Sequence, residues 1–373
     1  MKEQCEEGRG RAKALCFVAV FAVLVATLWP FNPFPRNGVT WLEGSRGLKF
    51  QRAGLVVSNG LLMPPDADAQ SYSVELLLRP ARSTWSYTIL GFYSPARSWQ
   101  LLVRQWTDGL LVTHNASVDR DRTRTIKFDV DHVFVPGKLV QVTISSGPHG
   151  TTVYVDGQMA QSIPQFKISR TELSGEIVLG TSPVTFHPWS GELHGIAIYS
   201  KELTPADALR HYQEWIDPSG KPELDGAMAR YSFAEGAGKE VRDEVASGPR
   251  LDIPARFSVP HKRMLQSAVK EFRLNWMYAS DVAGNIAGFI PLGVIVCAYL
   301  AWTRTRWKAI LATTVACGFL SFAIEVMQYY IPRRGSGVTD IITNTIGAAI
   351  GAIFLHTSML RRSLERMKLI PRI

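Results

Sequence analysis

The sequence predicts a multidomain membrane protein in which four transmembrane α-helices carry an antiparallel β-sandwich. Two observations carry this prediction. Four apolar segments are each about 18 residues or longer, which at about 1.5 Å per residue is near the roughly 30 Å of a hydrocarbon core. Between the first and the second of them, short segments alternate apolar and polar residues and are separated by turn residues, the pattern of antiparallel strands.

The amino-terminal segment predicts a signal anchor. Residues 1–13 form a cytoplasmic tail with four Lys or Arg and three Glu, and residues 14–34 form the first predicted transmembrane helix. No A-x-A-like cleavage site follows the apolar run, which ends in Trp29, Pro30 and Phe31. This aromatic edge, typical of a membrane interface, favours a retained anchor over a cleaved signal peptide.

The orientation follows from the basic residues beside the spans. Residues 281–358 hold transmembrane helices 2–4, predicted at 281–302, 309–331 and 338–356. The 303–308 connector carries three Lys or Arg, and the basic cytoplasmic tail 359–373 carries five against one Glu. Because cationic flanks stay inside, we expect a multi-pass protein of the cytoplasmic (inner) membrane with both termini cytoplasmic and the sandwich extracytoplasmic. These flanks supply most of the net charge of +9, so the charge does not indicate nucleic acid as a partner.

Residues 40–216 are predicted to form the sandwich. The candidate strands, which are rich in β-branched and aromatic residues, are 72–80, 88–95, 99–106, 109–114, 138–146, 151–158, 175–181 and 191–200. Asp156-Gly157 is interpreted as a tight hairpin turn, and residues 202–215 as an amphipathic helix that closes the sandwich. All four cysteines, Cys5, Cys16, Cys297 and Cys317, lie in the tail or the spans, so disulfides are not expected outside.

Two segments connect the sandwich to the spans. Residues 217–258 are a linker whose later part predicts either extra strands on the sandwich or a stalk. Residues 260–280 are basic and amphipathic and predict a helix lying along the membrane interface.

The strongest functional signal is a set of polar residues inside the predicted spans. Helical spacing places these residues on one face of each helix and at similar depth near the outer surface; they are Asp281, Asn285, Glu325, Gln328, Arg333, Arg334, Asp340 and Asn344. An unpaired charge in the bilayer costs on the order of 3 kcal/mol or more, so such residues must face a partner or water. A ligand site is favoured over an internal network of ion pairs. The pairs Gly284/Gly288 and Gly347/Gly351 are interpreted as helix-packing faces.

The sandwich offers weaker candidates. Trp85, Trp99, Trp106 and Trp189 are able to stack on sugar rings, although isolated aromatics in a sandwich are more often core residues. His187 and His194 are expected to be structural, and no Cys/His spacing predicts bound zinc. Whether the sandwich binds calcium stays open.

Residues 40–216 resemble the concanavalin A-like, laminin-G-like jelly-roll domains of bacterial surface proteins. The resemblance rests on YSVELLLRPAR, GKLVQVTISSGPHGTTVYVDGQ and WSGELHGIAIYSKELTPADALRHYQEW, in that order. It implies binding of carbohydrate or protein. The Glu-x-Asp-x-x-Glu strand of related glycanases is missing, so hydrolysis by this domain is not expected.

Residues 281–351 resemble the VanZ-like membrane family. The shared pattern is D-x-x-x-N-x-x-x-F-x-P-x-G at 281–293, S-x-x-x-E-x-x-Q at 321–328, and P-R-R-x-x-x-x-x-D-x-x-x-N-x-x-G-x-x-x-G at 332–351. The resemblance implies a role in the cell envelope and in tolerance to glycopeptide antibiotics of the teicoplanin type. The inserted sandwich departs from the family's usual modest connection after the first helix.

The leading hypothesis is a binding protein without a cofactor. The sandwich would recognise an envelope glycan or protein, and the membrane site an anionic lipid-linked or amphipathic headgroup, with Arg333 and Arg334 meeting phosphate. One alternative is an enzyme acting on a lipid-linked envelope precursor, in which Asp281, Glu325 and Asp340 hold a divalent cation or one carboxylate acts as a general base. A second alternative is a structural anchor for the external domain.

Overall fold

The computed structural model describes residues 2–63, 70–81, 86–95, 97–119, 122–217, 223–367 and 369–371. The chain divides into two compact units. The sandwich unit is Phe34–Lys262, and the helical unit is Met1–Pro33 together with Arg263–Ile373.

The secondary-structure elements are numbered in chain order. The strands are β1 (Val39–Trp41), β2 (Leu48–Phe50), β3 (Val56–Leu62), β4 (Tyr72–Pro80), β5 (Ser86–Ser94), β6 (Arg97–Trp106), β7 (Gly109–Asp119), β8 (Arg122–Val130), β9 (Val140–Gly147), β10 (Gly150–Val155), β11 (Gln158–Ile163), β12 (Gly175–Leu179), β13 (Gly191–Tyr199), β14 (Ala227–Tyr231), β15 (Glu240–Val241) and β16 (Leu251–Asp252). The helices are α1 (Lys2–Leu28), α2 (Arg170–Leu173), α3 (Pro205–Ile216), α4 (Ala268–Glu271), α5 (Trp276–Leu300), α6 (Arg306–Tyr329), α7 (Val338–Phe354) and α8 (Ser358–Arg366).

The sandwich unit consists of two antiparallel sheets, which confirms the predicted β-sandwich. One sheet has the order β1-β2-β13-β4-β9-β10-β11, with β14 also paired to β13, and the other has the order β15-β16-β3-β12-β5-β6-β7-β8. Their facing surfaces share one apolar core, to which Val74 and Ile144 contribute from the first sheet and Phe92 and Leu101 from the second. The alternation read from the sequence therefore selects the buried face of each strand.

Helix α3 covers the outer face of the central strand β4 through a buried polar network. The carboxylate of Glu75 on β4 accepts hydrogen bonds from Tyr199 Oη at 3.2 Å and Trp215 Nε1 at 3.0 Å, and His211 Nδ1 lies 3.1 Å away. Burial and the Glu75 charge raise the pKa of Tyr199, which therefore stays a hydrogen-bond donor. This network accounts for a strand that is buried on both faces and for the predicted closing helix.

Two further predictions for the sandwich are resolved. Asp156 and Gly157 have φ angles of 51° and 75°, so the β10–β11 connection is the predicted tight turn, and Asp156 Oδ1 also accepts from the Gln141 N–H at 2.9 Å. In the 217–258 segment, β14 pairs with β13 and β16 pairs with β3. The described part of this segment therefore extends both sheets, as the first of the two alternatives expected.

The helical unit differs from the predicted four full-length spans. In the described residues, three helices are long and apolar enough to cross a membrane, namely α1 from Glu6, α5 and α6. Helix α7 is apolar but has only 17 residues, about 26 Å at the helical rise. The predicted span 338–356 was too long. The helix ends at Phe354, although the sequence stays apolar at the next residue, Leu355.

The predicted interfacial helix at 260–280 is also not formed. Between residues 260 and 275 only α4 is helical, and α5 already begins at Trp276. Residues 263–271 instead contact the start of α7: the Gln266 N–H donates to the Ser336 carbonyl at 2.9 Å, and the Val338 N–H donates to the Gln266 carbonyl at 2.9 Å. These backbone contacts replace an isolated amphipathic helix. At the other end of the chain, α1 begins at Lys2, so most of the predicted tail continues the first helix.

Successive main helices of the helical unit alternate in direction, so α5 and α7 run parallel, with Gly347 against Ile286 and Gly351 against Ile290. Leu28 at the end of α1 shares an apolar cluster with Phe289 and Ile331. A second cluster joins the end of α5 and the start of α6 to the residues after α7, and Trp302 Nε1 donates to the Leu369 carbonyl at 3.0 Å. The basic 303–308 connector and the basic tail therefore lie at the same end of the helical unit.

Candidate functional site

A polar cavity lies among α1, α5, α6 and α7 in the helical unit. It has a volume of about 230 Å³ and is lined by Val23, Ala26, Thr27, Gly284, Asn285, Gly288, Phe289, Ile324, Glu325, Gln328, Asp340 and Asn344. Five of the eight residues predicted for the membrane site line it: Asn285, Glu325, Gln328, Asp340 and Asn344. We refer to this feature as the polar cavity.

Asp340, in the first turn of α7, connects α7 to α5. Its Oδ1 accepts a hydrogen bond from Asn285 Nδ2 at 2.8 Å. An ionised carboxylate accepts hydrogen bonds and donates none, so Asp340 favours a ligand that brings hydrogen-bond donors or a positive charge.

Glu325 has a clear structural partner. Its side chain is buried, and Oε2 accepts from the Gly337 N–H at 2.8 Å, directly before α7. The Glu271 carboxylate accepts a hydrogen bond from the Thr339 N–H, two residues after Gly337, at 3.1 Å. Two carboxylates thus satisfy amides at the start of α7, where the helix dipole is positive. Glu325 holds the helix start while lining the polar cavity.

Asn344 presents an unsatisfied acceptor beside the cavity. Its side chain is 5 % exposed, and Nδ2 donates to Ser321 Oγ at 2.9 Å. Its Oδ1 is buried and has no hydrogen-bond partner among the described residues. Gln328 Nε2 donates to the Thr27 carbonyl at 2.9 Å and so ties α6 to α1. A buried acceptor without a partner is costly, and a donor on a bound molecule would satisfy it.

The remaining three predicted residues do not line the cavity. Asp281 is exposed on α5, and Arg333 is exposed in the connection between α6 and α7. Arg334 Nη2 donates to the Trp29 carbonyl at 2.6 Å. Arg334 therefore contacts the end of α1 two residues beyond the cavity-lining Thr27, and neither arginine is among the lining residues.

The two glycine pairs have different roles. A Cβ on Gly347 or Gly351 would overlap the carbonyl oxygen of Ile286 or Ile290 on α5, so this pair permits close helix packing as predicted. A Cβ on Gly284 or Gly288 would meet nothing within 4 Å. For that pair the packing interpretation is wrong. Both glycines line the polar cavity, and at these two positions no side chain fills it.

The metal alternative is not supported by the arrangement of side chains. In the part of the chain that the structure describes, no group of three or more His, Cys, Asp or Glu side chains is placed to hold a metal ion. Asp281, Glu325 and Asp340 therefore do not form the cation site considered from the sequence. The Glu325 carboxylate accepts from the Gly337 N–H rather than converging with the other two.

The two aromatic candidates that the structure describes with their side chains differ in exposure. Trp85 and the side chain of Trp99 lie outside the described residues. Trp106 is 46 % exposed, with Lys127 Nζ 5.7 Å from its ring centre. Trp189 is fully buried, packs on Phe50 and donates from Nε1 to Gln105 Oε1 at 2.9 Å. Sugar stacking by Trp189 is therefore excluded, because its ring belongs to the core.

Sequence reasoning missed two contributors to the helical site. Thr27 provides the carbonyl that accepts from Gln328, but it lies in a uniformly apolar run with no distinguishing signal. Glu271 lies in the segment that was interpreted as an interfacial helix. A carboxylate shortly before an apolar helix was the only indication of its contact with α7.

The fold and the polar cavity define a membrane protein that combines apolar helices with a lectin-type sandwich. A family model for VanZ/LLP1 matches residues 240–360, and one for the concanavalin A-like lectin/glucanases superfamily matches residues 56–208. Both resemblances predicted from the sequence are thereby confirmed. A search of curated proteins finds no match to the chain.

Several solved structures are similar to part of the chain. A putative carbohydrate-binding protein from Bacteroides ovatus is 12% identical, with a TM-score of 0.38, and the match covers 61% of this chain and 62% of that protein. The binding domain of botulinum neurotoxin DC, in complex with rat synaptotagmin II, is 15% identical with a TM-score of 0.35, covering 49% and 46%. The receptor-binding domain of botulinum neurotoxin type G is 14% identical with a TM-score of 0.34, covering 49% and 46%. These similarities carry no conclusion about ligands.

Proposed function

We propose that this protein is a binding protein of the cell envelope whose polar cavity holds the headgroup of an amphipathic or lipid-linked molecule. The sandwich binds a glycan or protein of the same envelope. The observation that carries the proposal is the convergence of five polar side chains on one cavity within a unit of apolar helices. Ionisable groups in such a unit are costly unless they face a partner or water.

The chemistry of the lining suggests which part of a ligand enters the cavity. Asp340, Glu325 and the Asn344 Oδ1 atom are acceptors, whereas Arg333 and Arg334 lie outside the lining. We therefore revise the anionic headgroup expected from the sequence. The group inside the cavity carries hydroxyl or ammonium donors, and any phosphate of the same molecule lies outside it. A volume of about 230 Å³ compares with about 30 Å³ per water in the liquid, so only a headgroup fragment fits.

The proposed membrane arrangement keeps the predicted topology. The basic 303–308 connector and the basic carboxyl-terminal tail lie at one end of the helical unit, which favours a cytoplasmic location for that end. Helix α7 crosses as a short fourth span, and the membrane thins or adjusts to its length at modest cost. The polar cavity then opens toward the outer leaflet, and the sandwich is extracytoplasmic.

Native mass spectrometry of the full-length protein in mild detergent tests the proposal. Asp340→Asn and Asp281→Asn make the same change in charge and nearly the same change in shape, but only Asp340 lines the cavity. We expect the wild type and Asp281→Asn to retain one amphipathic species and Asp340→Asn to lose most of it. A stable wild type without bound species, or equal retention in both variants, would leave the polar residues with a purely structural role.

A cellular role in tolerance to teicoplanin-type glycopeptides is proposed on the family match alone. The test compares the growth of a deletion strain under drug, complemented with the wild type or with either Asp variant at equal protein level. Rescue by Asp281→Asn but not by Asp340→Asn would connect the cavity to the phenotype. Equal rescue by both would separate the cavity from it.

A further inference from the structure

The sandwich unit contains a larger cavity that no candidate from the sequence had indicated. It has a volume of about 770 Å³, within the range of about 300–1,000 Å³ typical of ligand sites. Its lining includes Lys49, Arg52, Ser86, Tyr87, His187 and Ser190. We refer to it as the sandwich cavity. The described residues that line it all belong to the sandwich unit.

The charge of this cavity is positive. Lys49 and Arg52 are exposed, and among the described residues neither has an ion-pair partner within 4.0 Å. The residue opposite Lys49 on β13 is acidic, namely Glu192. Its carboxylate is already engaged by Arg79 and by His194 Nε2, the latter at 3.3 Å. Both cavity cations are therefore free to meet an anionic group on a ligand.

Neutral polar groups stand beside the two cations. The Ser86 Oγ atom is buried and lacks a hydrogen-bond partner within the described part of the chain. His187 Nδ1 lies 3.1 Å from Thr185 Oγ1. Burial and the nearby Arg104 guanidinium lower the pKa of His187, so the ring is neutral at pH 7. These groups can hydrogen-bond hydroxyls without adding or removing charge.

Aromatic rings complete the lining. Tyr87 and Phe186 are partly buried and both line the sandwich cavity. A half-buried ring offers an apolar face, on which the apolar face of a sugar can pack. Cations, unsatisfied hydroxyl partners and ring faces therefore occur together in one cavity of saccharide size.

We propose that the sandwich cavity binds an acidic saccharide, with Lys49 and Arg52 meeting its carboxylate, sulfate or phosphate group while Ser86, His187 and Tyr87 contact the sugar. This inference rests on the proposed glycan or protein binding by the sandwich, and it specifies the site and the ligand class. The cations supply charge-assisted hydrogen bonds, which discriminate against neutral sugars of the same shape.

The test uses the full-length protein in detergent and two pairs of probes that differ mainly in charge. Oligogalacturonate is compared with its methyl ester, and dextran sulfate with dextran, by calorimetry at fixed salt. The double variant Lys49→Gln/Arg52→Gln removes the two cavity cations. Lys138→Gln/Arg242→Gln is the matched control, because it removes one exposed Lys and one exposed Arg elsewhere on the sandwich. Thermal unfolding checks that both variants fold.

We expect at least one acidic probe to bind, and its neutral counterpart to bind at least about tenfold more weakly. The cavity variant should bind the acidic probe about tenfold or more weakly than the wild type does. The control variant keeps the affinity. Equal loss in both variants would indicate non-specific attraction and overturn the site. Equal binding of a neutral counterpart would overturn the acidic class while leaving glycan binding by the sandwich intact. If no probe binds, the acidic-saccharide site is overturned, while binding of other glycans or of proteins by the sandwich stands, and lipid retention by the helical unit is measured separately.

Discussion

Opposite effects are expected from adding one methyl group at two glycines of the helical unit. In Gly347→Ala, the new Cβ on α7 would overlap the Ile286 carbonyl oxygen and lie 3.0 Å from the Ile286 Cα on α5. An ordinary carbon–oxygen contact is about 3.3 Å or more, so the helices must separate locally by roughly 1 Å. In Gly288→Ala, the new Cβ has nothing within 4 Å, since it enters the polar cavity.

The two effects differ in sign once helix propensity is included. Overpacking costs about 1–3 kcal/mol, and replacing Gly by Ala inside a helix contributes up to about 1 kcal/mol of stability. We therefore expect Gly347→Ala to be destabilised by about 1–2 kcal/mol and Gly288→Ala to be unchanged or stabilised by up to about 1 kcal/mol.

Thermal unfolding of both variants in the same detergent measures this difference. The two variants should differ by about 1–3 kcal/mol, so at roughly 2–4 °C per kcal/mol the midpoints should lie roughly 2–12 °C apart, with Gly347→Ala the lower. Equal midpoints, or a lower midpoint for Gly288→Ala, would refute the assignment of one glycine to helix packing and the other to the cavity wall.

Three further predictions concern the sandwich and the topology. Glu75→Ala removes the shared acceptor of Tyr199 and Trp215, so the sandwich should lose about 3 kcal/mol of stability, measured by denaturant unfolding followed by tryptophan fluorescence. Thr204→Ala should cost about 1 kcal/mol at pH 7 because it removes the cap of α3. Burial by itself would raise the pKa of Asp207, but hydrogen bonds from Thr204 and the charge of Arg210 outweigh it and lower this pKa from 3.8 to about 2. A carboxyl whose pKa is lowered by folding stabilises the fold at a pH above its unfolded-state pKa, and this stabilisation is lost as the pH falls through its folded-state pKa. Because Thr204 donates to the ionised Asp207 carboxylate, the cost of Thr204→Ala should shrink as the pH falls from about 4 to 2. A reporter fused after residue 373 should be active only in the cytoplasm, and a periplasmic or surface signal would contradict the proposed orientation.

Helical periodicity predicted most of the polar cavity because the side chains on one face of a helix are fixed by spacing alone. Asn285, Glu325 and Asn344 come together as expected because successive helices alternate in direction. Arg333 and Arg334 are not among the lining residues, and because they lie in a turn, their direction depends on backbone geometry that spacing does not encode. The length of α7 was overestimated for a related reason, since hydropathy does not register where a helix ends.

Strand alternation predicted the sandwich, but not which aromatic residues are accessible. Trp189 precedes β13 and looks no different in sequence from an exposed tryptophan, yet its ring lies in the core against Phe50. The sandwich cavity was missed because Lys49, Ser86 and His187 are far apart in the chain. They are brought together only by the pairing of strands and the connection before β13.

Photo-crosslinking from within the polar cavity tests the central claim most directly. Val23 and Val18 both lie on α1, but Val23 lines the cavity whereas Val18 is 65% exposed on another face. A diazirine-bearing aliphatic amino acid at each position is irradiated in native membranes, and the adducts are identified by mass spectrometry. We predict one dominant amphipathic species from position 23 that disappears in Asp340→Asn, and a mixture of bulk lipids from position 18. The same mixture from both positions, or an adduct at position 23 that is unaffected by Asp340→Asn, would contradict a headgroup site in the polar cavity.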